Sequence, residues 1–142
     1  MIEELGRDEI DQLLHAQLVG RIGCHADGLT YVVPVIYAYD GESVYVASAE
    51  GLKLRMMRAN PQVCFEVDEY DGRGSWRSVV LQGVYEELAA EEATRTLALL
   101  AGRFAPMVDG EPASRRRGAG GAFTCFRIRV VEATGRAVDR TA

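Results

Sequence analysis

The sequence predicts a mainly β protein, a small antiparallel β-barrel of six or seven strands accompanied by three short helices. Apolar runs with strand-like alternation recur along the chain, and two of the junctions between them are the pairs Asp27-Gly28 and Asp40-Gly41. Asp-Gly pairs favour tight hairpin turns, which connect antiparallel neighbours. The long run from Trp76 to Leu88 carries apolar residues on both of its alternating faces, as a barrel strand or a strand at a dimer seam does.

The first part of the chain is predicted to contain one helix and three strands. Asp8 to Gln17 has apolar residues at helical spacing and acidic residues in its first turn, a pattern typical of an amphipathic helix. Strands follow at Val19 to His25, Leu29 to Tyr39 and Glu42 to Ala47. Pro34 lies inside the second strand and lacks a backbone N–H. It therefore predicts a bulge, a sheet edge, or backbone that faces something other than a neighbouring strand.

The C-terminal part alternates strands, loops and one further helix. After an exposed, charged loop comes the long strand Trp76 to Leu88, and then a segment of good helix formers from Ala89 to Phe104. Ala105 to Ala122 predicts a mobile loop, and its Arg115-Arg116-Arg117 run is more typical of a solvated tip than of a site. A final strand from Phe123 to Val131 is followed by a predicted turn and a short extension.

Composition excludes several classes of function. The chain has 142 residues, which suits one domain spanning 1–142. Its net charge of −5 argues against nucleic acid as a partner. No apolar run has the length of a membrane span and the acidic N-terminus is unlike a signal peptide, so we expect a cytoplasmic protein with no membrane partner.

Metal binding is not expected either. The chain contains three cysteines without a Cys-x-x-Cys spacing and two histidines. The adjacent pair Cys24-His25 would point to opposite faces of a strand, which makes a poor ligand pair. We therefore expect no metal site and free, buried thiols in a reducing compartment.

The stretch from Val44 to Asp68 carries the strongest functional signal. It predicts a strand, a turn of small residues from Ser48 to Gly51, a short helix from Leu52 to Ala59, a stop at Asn60-Pro61 and a second strand. Free N–H groups and the positive end of the helix dipole meet at the start of this helix, which suits a phosphate. Lys53 lies in the first turn, where a cation is unfavourable unless an anion binds. The alternative is a solvated lysine on a short crossover helix.

Several segments together resemble the pyridoxamine 5'-phosphate oxidase-like, FMN-binding split-barrel proteins, in the branch of nitroimidazole-resistance-type and flavin-nucleotide-binding proteins. The resemblance covers nearly the whole length and depends on the joint order and spacing of its parts. These are Gly20 to Gly23, Val33 to Tyr37, Ser48 to Leu54, Arg58 to Asp68, Trp76 to Gly83, Phe126 to Ile128 and Thr134 to Ala137.

The resemblance implies an antiparallel split β-barrel that forms a homodimer with two FMN molecules at the seam between subunits. The phosphate would lie at the short helix, the isoalloxazine ring would lie beside the strand that contains Pro34, and the strand from Trp76 would approach the flavin, with Arg77 as a second phosphate ligand. An alternative for Trp76 is a core or dimer aromatic residue. The cofactor-binding residues implied are Pro34, Val35, Ile36, Tyr37, Ala47, Ser48, Gly51, Lys53, Trp76, Arg77 and Ser78.

Three departures from the family pattern limit this expectation. Leu52 replaces the first residue of the basic pair that precedes the short helix in the oxidase proper, and Ala47 stands where many relatives of this branch have histidine. A counterpart of the oxidase's C-terminal substrate-binding segment is also missing. Oxidation of pyridoxamine phosphate and histidine-dependent chemistry are therefore not expected.

The sequence leaves several functions open. The first is a flavin-dependent oxidoreductase acting on an unidentified small molecule, in which the flavin carries the redox chemistry and no side chain is identified as catalytic. The second is a protein that stores or senses a flavin without turnover. The third is a binder of another cofactor on the same barrel, either deazaflavin or haem, and FAD is an alternative to FMN.

Overall fold

The computed structural model describes residues 1–104 and 123–140. Three helices lie in this part of the chain: α1 (Arg7–Ala16), α2 (Leu52–Ala59) and α3 (Ala90–Phe104). Eight strands accompany them, at Glu3–Glu4 (β1), Val19–Ala26 (β2), Leu29–Ile36 (β3), Ala38–Tyr39 (β4), Ser43–Ser48 (β5), Gln62–Tyr70 (β6), Trp76–Glu87 (β7) and Thr124–Val138 (β8). The mainly β class and the three helices are confirmed. The Arg115–Arg117 run lies outside the described residues.

The strands form one curled antiparallel sheet in the order β3-β2-β6-β7-β8-β5-β4, and β1 pairs with β8. The two ends of this order, β3 and β4, are consecutive in the chain and are separated only by Tyr37. The chain therefore passes from one edge of the sheet to the other at a single residue, which curls the sheet into a barrel. Away from this junction, β3 pairs with β2 and β5 pairs with β8. Because β3 and β5 pair with different strands, a gap opens between them.

Two differences from the predicted elements have clear causes. The run predicted as one strand, Leu29 to Tyr39, is divided at Tyr37 because its two parts pair with different strands. The turn predicted within Glu132 to Val138 is wrong, since β8 continues through this segment to Val138. Gly135 is small because α1 packs on it: a Cβ built there would lie 2.9 Å from Leu5 Cδ1 and 3.0 Å from Ile10 Cγ1.

Helix α1 fills one end of the barrel interior. The Gly6 N–H at its start donates to Glu9 Oε1 at 3.2 Å, and Asp8 and Glu9 suit the positive end of the helix dipole. Leu13 and Leu14 are fully buried against the sheet. Their burial contributes about 2 kcal/mol each through removal of apolar surface from water.

The core is continued by aromatic residues at the junction of the two sheet edges. Tyr37 and Phe65 are fully buried, with ring centroids 4.9 Å apart at an interplanar angle of 75°. The hydroxyl of Tyr37 donates to the carbonyl of Leu14. Burial raises the pKa of Tyr37 to about 12, so this hydroxyl remains a donor at physiological pH. The residue that joins β3 to β4 is thereby locked against α1.

Cys24 and Cys125 are buried and Cys64 is half-buried. Within the described ranges, no cluster of three or more histidine, cysteine, aspartate or glutamate residues could hold a metal ion. No helix in this part of the protein is both long enough and apolar enough to cross a membrane.

Candidate functional site

The corner between β5 and α2 presents an open helix N-terminus. Gly51 precedes α2 in an extended conformation, with φ 177°, and no side chain caps the helix. No acidic residue lies in the first turn. A Cβ built on Gly51 meets no atom within 4 Å, so the space in front of the helix is open. The corner therefore offers backbone N–H donors to a ligand from solvent.

Lys53 supplies an available cation at this corner. It is half-buried, and in the described part of the chain it forms no ion pair. Arg58, near the other end of the same helix, is engaged: it binds Glu50 at 2.7 Å and Glu87 at 2.8 Å. Hydrogen bonding from Arg58 holds the pKa of Glu50 below its usual range. The charge of Glu50 in the turn is thus neutralised by Arg58, and Lys53 remains available to bind a ligand.

Ser48 and Ala47 reach the corner from β5. Ser48 is buried, and its hydroxyl donates to the carbonyl of Ala49 at 2.9 Å rather than pointing at the helix N-terminus. Ala47 is half-buried and pairs with Cys125 of β8. Both residues shape the corner, and the donors that face outward come from the start of α2.

The strand with Pro34 forms one wall of the gap between β3 and β5. Ala38 of β4 pairs with Tyr45 of β5, and the two strands are antiparallel. β3, which precedes this pair, and the part of β5 that follows it therefore extend from the pair in the same direction. Pro34 and Ile36 are exposed, with Ile36 48% accessible, whereas Val35 packs against the core. Pro34 thus lies on an edge strand, one of the three predicted settings, and the wall that it forms is apolar.

Tyr37 takes a different position from the one that the resemblance implies. Its ring belongs to the core, and its backbone N–H donates to the carbonyl of Leu18 at 3.3 Å. The side chain therefore cannot pack on a ligand in the gap. Pro34 and Ile36 are the members of the predicted strand segment that face outward.

Trp76, Arg77 and Ser78 lie at the other end of the barrel from the corner. Ser48 pairs with Thr124 and Glu87 pairs with Phe126, so the corner adjoins the last residues of β7, whereas Trp76 begins that strand. Eleven steps along a strand correspond to roughly 35 Å. Within one chain these residues do not join the corner. Arg77 is also engaged, because it donates to Glu69 at 2.9 Å.

A charged cluster on the outer face of the sheet was not identified from the sequence. Arg21 binds Glu66 at 3.4 Å and Asp68 at 3.3 Å. Burial, followed by the hydrogen bond and the charge of Asp68, raises the pKa of Glu66 to about 7, and Arg21 opposes this shift. The signal was present, because two acids at alternate positions of a strand share a face.

Comparison with known proteins places this chain among relatives. The chain matches the sequence model of pyridoxamine 5'-phosphate oxidase over residues 6–137. It belongs to that family. The matched residues include every helix and every strand described above apart from β1 and the last residue of β8.

Individual relatives agree with this assignment. A FAD-binding protein from Mesorhizobium loti is 32% identical, with a TM-score of 0.79 and coverage of 98% of this chain and 99% of that one. A protein from Bacteroides thetaiotaomicron described as a 5-nitroimidazole antibiotic resistance protein is 20% identical, with a TM-score of 0.72 and coverage of 98% and 92% respectively. At that identity it shows the fold alone. The resemblance to the split-barrel branch is confirmed.

One relative matches over a shorter region. An uncharacterized protein from Rhizobium meliloti (strain 1021) is 34% identical over 91 residues. The matched region covers 64% of this chain and 60% of that protein.

Proposed function

We propose that this protein binds a flavin, FMN in the first instance, and acts as a flavin-dependent oxidoreductase on a small molecule. The observation that carries the proposal is the uncapped N-terminus of α2 beside Lys53, whose ammonium group has no partner in the described part of the chain. A phosphate would accept from the N–H groups and satisfy the lysine at once. The flavin, when bound, supplies the redox chemistry.

The gap between β3 and β5 suits the ring system. Its wall carries Pro34 and Ile36, which are exposed although apolar, and an apolar surface next to an anion site fits a molecule with a flat ring and a phosphate. β3 has one strand partner among the described strands, β2, so backbone groups on its other edge are free to meet a ring edge. Val35, behind this wall, supports it from the core.

A second copy of the chain would complete the site. Trp76 to Ser78 lie too far from the corner to touch the same ligand in one chain, so their predicted role requires a homodimer. Val80, on the outward side of the same strand, is 37% exposed although apolar, which suits a covered interface. Analytical ultracentrifugation tests the dimer, and a monomer at micromolar concentration would remove Trp76 to Ser78 from the site.

The choice among flavins and between turnover and storage rests on different support. FMN has the terminal phosphate that the corner suits, and FAD is the alternative because the Mesorhizobium loti relative is named as a FAD-binding protein. Storage without turnover, and binding of deazaflavin or haem, remain alternative predictions. Anaerobic bleaching of the bound flavin by a reduced nicotinamide nucleotide, with recovery in oxygen, would support the enzyme over the storage protein.

Lys53→Ala tests the phosphate site. Loss of one charge-assisted bond costs about 2 kcal/mol, so we expect FMN affinity to fall about 30-fold. Arg55→Ala is the matched control, because Arg55 is an exposed basic residue of the same helix, two positions on. Calorimetric titration with FMN measures both variants. Equal FMN affinity in wild type and Lys53→Ala would contradict the proposed phosphate site.

A further inference from the structure

A groove lies at the end of the barrel away from the corner. Its volume is about 670 Å³, which is within the range of small-molecule sites. Its lining includes Tyr70, Trp76 and Val138, which we call the floor, and two arginines, Arg73 and Arg140. Of these residues, Trp76 is the one that the resemblance also assigns to the flavin site, where a second copy of the chain would contribute it.

The floor of the groove is a row of flat apolar surfaces. Trp76 pairs with Tyr70 on one side and with Val138 on the other, so the three side chains lie on the same face of neighbouring strands. Tyr70 is 66% exposed. Trp76 is half-buried, so both aromatic side chains have surface that a ligand can reach. Stacking of a base on such a side chain contributes about 1–3 kcal/mol.

Two arginines line the groove, in a protein whose net charge is −5. Arg73 and Arg140 form no ion pair within residues 1–104 and 123–140, and the lining of the groove includes no acid. The acidic residues of this end of the barrel, Asp71 and Asp139 among them, line an adjoining cleft that shares Trp76 and Val138 with the groove. Their backbones are fixed: the Arg73 N–H donates to Asp71 Oδ1 at 2.6 Å and the Arg140 N–H donates to Ser75 Oγ at 2.8 Å. The guanidinium groups therefore stand on a fixed frame and are free to bind an anion.

A glycine allows this arrangement of the arginines. Gly74 has φ +104°, and a Cβ built on it would lie 2.6 Å from Arg140 Cδ. The side chain of Arg140 thus lies against Gly74 of the β6–β7 hairpin, and the positive φ at this position favours glycine.

From these features we infer that the groove binds an adenosine phosphate group, with the base on Tyr70 and Trp76 and the phosphates on Arg73 and Arg140. A flat aromatic base joined to an anion is the chemistry that aromatic rings and free guanidinium groups together recognise. The inference rests on the proposed function, in which the strand from Trp76 reaches the flavin held by a second copy. The adenosine phosphate then belongs either to a nicotinamide dinucleotide, the electron donor, or to the adenylate half of FAD.

Trp76 is the single tryptophan of the chain, so its fluorescence reports on the groove directly. We expect ADP, added to the flavin-loaded protein, to change this emission with saturation, whereas adenosine binds at least tenfold more weakly. The double variant Arg73→Ala/Arg140→Ala should lose at least tenfold in ADP affinity. Arg95→Ala, an exposed arginine on α3, is the matched control and should bind ADP as wild type does. Calorimetry with ADP covers the case in which binding leaves the emission unchanged.

The outcomes separate the two proposals. No heat and no fluorescence change with ADP, or equal ADP affinity in wild type and the double variant, would overturn the groove. Lys53→Ala should weaken FMN and leave ADP unchanged, so failure of the phosphate corner is distinguishable from failure of the groove. If the double variant loses affinity for reduced nicotinamide dinucleotide at equal FAD affinity, the group belongs to the electron donor. If it loses affinity for FAD but not FMN, the group belongs to the flavin.

Discussion

Substitution of Gly20 by alanine should weaken the barrel where its two edges meet. A Cβ built on Gly20 would lie 2.1 Å from Cζ of Phe65 and 2.7 Å from its Cε1, so the added methyl group must displace the ring. That ring is fully buried and packs edge-on against Tyr37, so it cannot move outward into water. Displacement therefore strains the residue that joins β3 to β4.

The expected cost follows from overpacking of a dense core. Forcing one extra methyl group into such a site costs about 3 kcal/mol, at the upper end of the usual range, because the contact is with a ring and not with a flexible chain. In a domain of this size, that corresponds to a fall of about 10 °C in Tm. Chemical unfolding followed by tryptophan emission, together with calorimetric melting, measures the change.

A second glycine provides the matched control. Gly102 lies in α3, and a Cβ built on it meets no atom within 4 Å. Gly102→Ala should therefore stabilise the protein by about 0.5–1 kcal/mol, since alanine favours the helix. The packing argument is refuted if the free energy of unfolding of Gly20→Ala lies within about 0.5 kcal/mol of the wild-type value. It is also refuted if adding Phe65→Leu to Gly20→Ala restores none of the lost stability.

Two further predictions concern single polar groups. Tyr37→Phe leaves the carbonyl of Leu14 without its buried donor, so the free energy of unfolding should fall by about 1–2 kcal/mol; an unchanged value in denaturant titration would show that another donor replaces it. Glu66 binds its proton more tightly in the folded protein, with a pKa of about 7 against an ordinary 4.5, so stability should fall as pH rises from about 4.5 to 7. The full pKa difference corresponds to about 3 kcal/mol in the free energy of unfolding. Because Glu66 and its neighbours are about a third or more open to water, we expect a change of about 1 kcal/mol. Glu66→Gln should flatten this dependence, and an identical pH profile in the variant would contradict the assignment.

Local signals in the sequence predicted most of the elements. The first two Asp-Gly pairs both mark turns, with positive φ at Asp27, Gly28 and Gly41. The bounds of α2 were predicted as found, because good helix formers end there at Asn60-Pro61. These features depend on the backbone preferences of a few adjacent residues, which a single sequence records.

Features that depend on distant packing were not predictable in the same way. Thr134-Gly135 has the composition of a turn, yet Gly135 is small because α1 lies on it, a contact between the two ends of the described chain. The division of one apolar run at Tyr37 likewise depends on which strands pair with each half.

The candidate site shows the same division. The positions of Gly51 and Lys53 at the start of α2 were predicted, because the start of a helix and its charges are local; their part in binding stays a prediction. The engagement of Arg58 by Glu50 and Glu87 was not, since it joins a turn, a helix and the end of another strand.

The single-residue junction at Tyr37 has a consequence for how a ligand would be selected. Widening the opening between β3 and β5 would require rotation about Tyr37, which its hydroxyl bond to α1 and its packing on Phe65 resist. The spacing between β3 and β5 is therefore set by the interior of the barrel and not by the ligand. A molecule thicker than this gap would be excluded. Mutations deep in the core, far from any ligand, would change which molecules can bind.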